Sequence, residues 1–173
     1  RGGIHGVPPV APAPRLSYSG RMNRWLLKTE PGTYSWADLV REGRTAWTGV
    51  ANPQAQLNLK AMGEGDLAAI YHTGGEKAAV GIAQVARAAY PEPGSDRLVC
   101  VDLAPQAPLA NPVTLERLKA EKAFARSPLV KQGRLSVVPL GAAQWKVLVA
   151  LAKKPGATAR PSTPRPRKVR KRR

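Results

Sequence analysis

Between Asn52 and Thr73 the chain has to form a helix and then a strand, and this pair limits every fold available to it. Asn52 can accept a hydrogen bond from the first helical N–H groups, and Pro53 fits the first helical position, where a donor would go unpaired anyway. Ala55, Leu59 and Met62 follow at helical spacing, and Gly63 and Gly65 end the helix. Asp66 to Thr73 then reads as a buried strand through Leu67, Ala69, Ile70 and Tyr71. Just upstream, Trp47 lies among Thr45, Thr48 and Gly49. Such small and polar neighbours suit a ring kept exposed on a loop, able to stack on a flat ligand. Where that loop and the strand end meet, Trp47, Asn52, Tyr71 and Thr73 would form a small aromatic and polar cup.

The flanking segments supply the rest of a compact domain. Arg24 to Thr29 is apolar enough, through Trp25, Leu26 and Leu27, for a strand covered on both faces. Pro31 holds Glu30 extended, and Ser35 with Asp38 resembles a capping box for a short helix through Leu39 and Val40 to Gly43. On residue types alone Lys28 and Glu30 read as a solvated pair. Gly74 to Lys77 is a plausible hairpin connection into a strand from Ala79 to Tyr90, where Gly81 suggests a bulge or a close backbone approach. Leu98 to Leu103 reads as another strand, Asn111 to Ala120 as a helix capped at Thr114, and Arg134 to Pro139 as a last strand. Gly141 to Leu151 is a helix with Trp145, Leu148 and Leu151 on one face. Trp145 and Trp25 are expected in the core, Trp36 could go either way, and Trp47 is the tryptophan assigned to a binding pocket. Short strands and helices in this order indicate an α+β fold with a curled mixed sheet rather than repeated parallel units.

Charge divides the chain into a domain and two tails. The ten Lys and Arg after residue 152 face no acid and the first 21 residues carry three Arg, so the middle balances 15 basic against 11 acidic side chains. Residues 1–22 are expected to be a disordered Gly- and Pro-rich extension, with Met22 the natural start, and 23–152 the folded domain. Residues 153–173 are expected to form a disordered basic tail, either a solubility feature or a salt-sensitive contact for nucleic acid. A single cysteine, Cys100, excludes an internal disulfide; its apolar neighbours predict a buried thiol and a cytoplasmic protein, nuclear in a eukaryote and nucleoid-associated in a bacterium. No apolar run approaches the roughly 18 residues of a membrane span.

Enzymatic chemistry lacks the residues it needs. His72 is the only histidine of the middle region, without a Cys or His partner at metal-ligand spacing, so no metal or cofactor is expected. No Gly-rich phosphate loop follows a strand. His72, Ser136 and a carboxylate lack the strand-turn-helix nucleophile motif that a hydrolytic triad requires.

Seven stretches together carry a resemblance. WLLKTEP at 25–31, YSWADL at 34–39, WTGVANPQAQLNLKAMGEGD at 47–66, YHTGGEKAAVGIAQV at 71–85, YPEP at 90–93, PVTLERLKA at 112–120 and RLSVVPL at 134–140 follow, in order, the pattern of the EVE domain family. The resemblance spans roughly residues 24–151 and implies a PUA-like pseudo-barrel of five or six strands, related to the YTH domains that read methylated adenine in RNA. It implies a monomeric, non-enzymatic module that takes a flipped modified base of DNA or RNA into an aromatic pocket. It also moves Lys28 and Thr29 to the pocket mouth.

On this reading Trp47 stacks on the base, Val50 receives a methyl group, and Thr29, Asn52, Tyr71 and Thr73 complete the base site. Lys28, His72, Arg134 and Ser136 face the nucleic-acid backbone. Lys131-Gln132-Gly133-Arg134 stands where relatives often carry a more strongly basic run containing Ser, which alters the phosphate grip expected there. Two other classes stay open: a structural or protein-interaction module touching nucleic acid only through its tail, and an accessory to RNA modification, by analogy of fold alone.

Overall fold

The computed structural model describes residues 22–156; the N-terminal arm and the tail beyond Gly156 lie outside the described residues. Six strands form one mixed sheet in the order β2-β5-β4-β3-β1-β6. They are β1 (Arg24–Thr29), β2 (Thr45–Trp47), β3 (Leu67–His72), β4 (Ala78–Pro91), β5 (Val99–Thr114) and β6 (Val137–Leu140). Five α-helices accompany the sheet: α1 (Trp36–Glu42), α2 (Pro53–Ala61), α3 (Leu115–Lys119), α4 (Pro128–Lys131) and α5 (Ala142–Ala152). The α+β expectation holds, with β2 and β6 at the two ends of the sheet.

One parallel pair organises the site. β1 runs alongside β3, with Lys28 beside Tyr71 and Thr29 beside His72, and β6 covers the other side of β1. A parallel neighbour requires a long crossover, and α1, β2 and α2 supply it. Ser35 and Asp38 close the predicted capping box on α1, and Gly43 ends that helix in a left-handed conformation at φ +71°. Asn52 caps α2 through Ala55 N–H at 3.0 Å, with Pro53 at the first turn.

Gly81 bears out the bulge expected of it, and the group that approaches it closely is a side chain rather than another backbone. The β3–β4 and β4–β5 registers shift beside it, and a Cβ there would fall inside the Trp36 indole. Buried Asp66 ties the start of β1 to the end of α2: its carboxylate accepts from Asn23 N–H at 3.0 Å, Trp25 Nε1–H at 2.9 Å and Gly63 N–H at 2.9 Å. Trp25, Trp145 and Cys100 are buried as expected.

Three expectations need correction. The strand expected at 98–103 runs from Val99 on to Thr114, because β4 is long enough to pair with it throughout; the helix starts at Leu115, straight after its expected cap Thr114. The last strand begins at Val137, after α4 and its connecting turn occupy the preceding residues. Trp47 is not on an exposed loop. It sits in β2 opposite Val101 and is 7% exposed, because Tyr34 and a core assembled from distant segments close over it.

Candidate nucleic-acid interface

The Trp47 ring is buried, yet it borders a cavity of about 550 Å³ with Lys28, Thr29, Glu30, Tyr34 and Val50 among its walls. That volume lies within the roughly 300–1,000 Å³ of small-molecule sites. Tyr34 meets Trp47 edge to face, with centroids 6.0 Å apart and planes at 87°. Its hydroxyl donates to Glu42 at 2.8 Å, which fixes the ring as a wall. Thr29 Oγ1 donates to the Tyr34 carbonyl at 2.7 Å, so its lone pairs are what it can offer a ligand. Ser136 is on the rim, and its carbonyl accepts the Lys28 N–H at 2.8 Å.

The wall after Trp47 is held from two directions. Gly49, at φ +76°, donates its N–H toward the Glu92 carboxylate at 3.2 and 3.4 Å. Buried Gln56 donates to the carbonyls of Val50 at 2.6 Å and Val99 at 3.0 Å, and accepts from Val99 N–H at 2.9 Å. One side chain of α2 thereby pins the 48–51 loop to β5. Beside β2, Arg44 and Tyr90 of β4 both bind the Asp102 carboxylate of β5. Burial alone would raise that carboxyl's pKa, but the Tyr90 hydroxyl and Arg44 guanidinium outweigh it and hold it below the ordinary value.

The expected cup is divided in two. Thr29, Trp47 and Val50 share the larger cavity, whereas Tyr71 and Thr73 border a separate one on the other side of Lys28. Asn52 is exposed, its Oδ1 committed to capping α2. Arg134 is exposed on the turn before β6. His72 is buried and engaged on both sides: Nε2 accepts the Trp36 N–H at 2.9 Å, so Nδ1 carries the proton and donates to Glu76 at 2.7 Å. The structure thus gives His72 the role of holding α1 on β3 rather than an open face for phosphate. Tyr34, Glu30 and Gln56 were missed as site residues. The Trp36 N–H that His72 accepts is an orphan donor of a helix start, and no sequence signal marks that contact.

A tryptophan-walled cavity beside the KTEP turn is set in a chain that matches the EVE domain over residues 23–151. The chain belongs to the EVE domain family. Rpa0253 from Rhodopseudomonas palustris is similar at 43% identity with a TM-score of 0.73, covering 76% of this chain and 94% of that one. Atu2648 from Agrobacterium tumefaciens is similar at 32% identity and a TM-score of 0.73, covering 75% and 92%. The human THYN1 protein, solved in complex with DNA containing 5-methylcytosine, is similar at 26% identity and a TM-score of 0.69, covering 78% and 99%. No curated protein matches the chain. Among the described residues of this EVE domain no group of three His, Cys, Asp or Glu side chains could hold a metal ion, and no helix is long and apolar enough to cross a membrane.

Proposed function

We propose that this EVE domain binds nucleic acid and takes one extruded, modified nucleobase into the cavity beside Trp47, without catalysis. The observation that carries the reading is the rigid aromatic corner of Trp47 and Tyr34 walling a cavity whose rim mixes Lys28, Thr29, Glu30 and Ser136. The DNA complex of human THYN1 supports the choice of ligand class. Unstacking a base costs a few kcal/mol, which stacking and edge hydrogen bonds inside an enclosed site must offset. The Trp47 face would contribute roughly 1–3 kcal/mol of stacking. Val50 would receive a small methyl group.

Edge recognition would fall to Thr29 and Glu30. A carboxylate accepts from an exocyclic amino group, the pairing expected for cytosine or adenine. Asn52 and Thr73 stand outside this cavity and would contribute from its surroundings only. Lys28 and Arg134 would meet flanking phosphates, with the basic tail adding sequence-independent affinity.

Paired oligonucleotides that differ by one methyl group, as DNA and as RNA, test this. The full chain is expected to prefer one methylated member at every salt concentration, while a chain truncated after residue 152 keeps that preference with a shallower salt slope. Equal affinity for all members would leave the domain a phosphate binder without base recognition.

A further inference from the structure

Sharing Lys28 with the Trp47 cavity lies a smaller one of about 280 Å³, which the base-binding reading leaves unused. Three lysines border it, Lys28 from β1, Lys77 from the β3–β4 hairpin and Lys119 from α3, and no carboxylate is among its lining residues. Leu115 and Leu129 give it an apolar floor. Tyr71 completes the wall. Its side chain is 3% exposed, its hydroxyl has no hydrogen-bond partner among the described residues, and burial pushes its pKa up to about 12. The only side-chain polar atom both sealed off and unpaired among the described residues is Arg24 Nε. The Tyr71 oxygen therefore reaches open space, and the cavity it borders is that space. A phenol that stays protonated at the wall of a cavity is a donor free to meet an acceptor placed there.

The surrounding groups specify which acceptor. Lys28 spends one donor on the Gly133 carbonyl at 3.0 Å, and burial lowers its pKa, so an anion beside it would offset the cost of its charge. Thr73 donates its hydroxyl to Glu30 Oε2 at 2.8 Å and so has only lone pairs to offer. Behind Gly74 stands that same Glu30 carboxylate, 3.0–3.2 Å from where a Cβ would be, and Glu76 and Glu116 border the neighbouring depression. These acids oppose a doubly charged anion more than a singly charged one.

We propose that this lysine-rimmed cavity is a phosphodiester seat, in which Tyr71 O–H and the Lys28 ammonium donate to the non-bridging oxygens of one phosphate. Because Lys28 borders both cavities, a nucleotide with its base at Trp47 would bring an adjoining backbone phosphate here. The seat does not rest on the base reading, and a probe that lacks a base keeps the two apart.

The test is amide NMR of the full chain titrated with dimethyl phosphate, with inorganic phosphate in parallel and sodium chloride at matched ionic strength as control. Saturable shifts are expected at Gly74, Leu115 and Gly133, stronger for the diester than for inorganic phosphate and absent with chloride. Tyr71→Phe removes one hydroxyl and keeps the ring. It should weaken diester binding by about tenfold, as loss of a hydrogen bond to a charged group implies. Lys119→Ala, on an exposed position, should weaken it severalfold. Tighter binding of inorganic phosphate would replace the backbone by a free phosphate as the ligand and overturn the diester assignment. Shifts that fail to saturate, scatter over other lysines, or persist unaltered in both Tyr71→Phe and Lys119→Ala would overturn the seat itself.

Discussion

Replacing Trp47 by alanine is expected to destabilise the domain by about 3–5 kcal/mol, the usual cost of emptying a buried aromatic position. For a domain of this size that is a fall of the order of 10 °C in Tm, measured by calorimetry or circular dichroism. The ring is 7% exposed, leans on Tyr34, and belongs to the same buried cluster as Val50 and Val101. Its removal therefore opens the core and the ligand cavity together. Binding lost in Trp47→Ala is then no measure of stacking, whereas Trp47→Phe keeps an aromatic ring in place and isolates the lost indole surface. An alanine variant as stable as the parent would show that the ring contributes nothing to packing.

Asp66→Ala is expected to be comparably severe. The fully buried carboxylate accepts three N–H groups, from Asn23, Trp25 and Gly63, and alanine would leave all three without an acceptor. At about 1–3 kcal/mol for each buried donor left unpaired, a total near 3–5 kcal/mol follows after partial rescue by water. Urea unfolding should report it as a lower midpoint with an unchanged slope. Asp66 stands at the foot of β1 and β3, far along both strands from Lys28 and Tyr71, so nucleic-acid affinity per folded molecule should persist. A midpoint shift below about 1 kcal/mol would mean that solvent takes over these donors.

What could be read from the residues was whatever is encoded locally. Ser35 with Asp38, Asn52 with Pro53, and Thr114 each mark a helix start through a side chain reaching its own backbone a few residues on, and all three stand where expected. Gly81 was also legible as a singular position, although its cause, the Trp36 ring, comes from another element. The site was less legible because its walls are made by long-range contacts. β2 has three residues, too few for a period, so nothing near Trp47 signals that Tyr34 covers it. Gln56 looks like an ordinary polar residue on a helix until β5 is brought beside it. The division of the cup is likewise a matter of register: Lys28 stands next to Tyr71 in the parallel pair, and this places a lysine between the tyrosine and Trp47's cavity.

The four tryptophans provide the most direct test of the central claim, since each gives its own indole N–H resonance and they occupy different environments. Trp25 is bound to Asp66, Trp145 is buried on the inner face of α5, Trp36 covers Gly81, and Trp47 borders the proposed base cavity. In a titration of the full chain with a short oligonucleotide carrying the one methylated base that the paired set shows it to prefer, the Trp47 indole is predicted to shift most. The unmethylated oligonucleotide should move it much less, and Trp25 and Trp145 should stay in place with both. Saturating binding of the methylated strand with the Trp47 resonance unmoved would contradict the account.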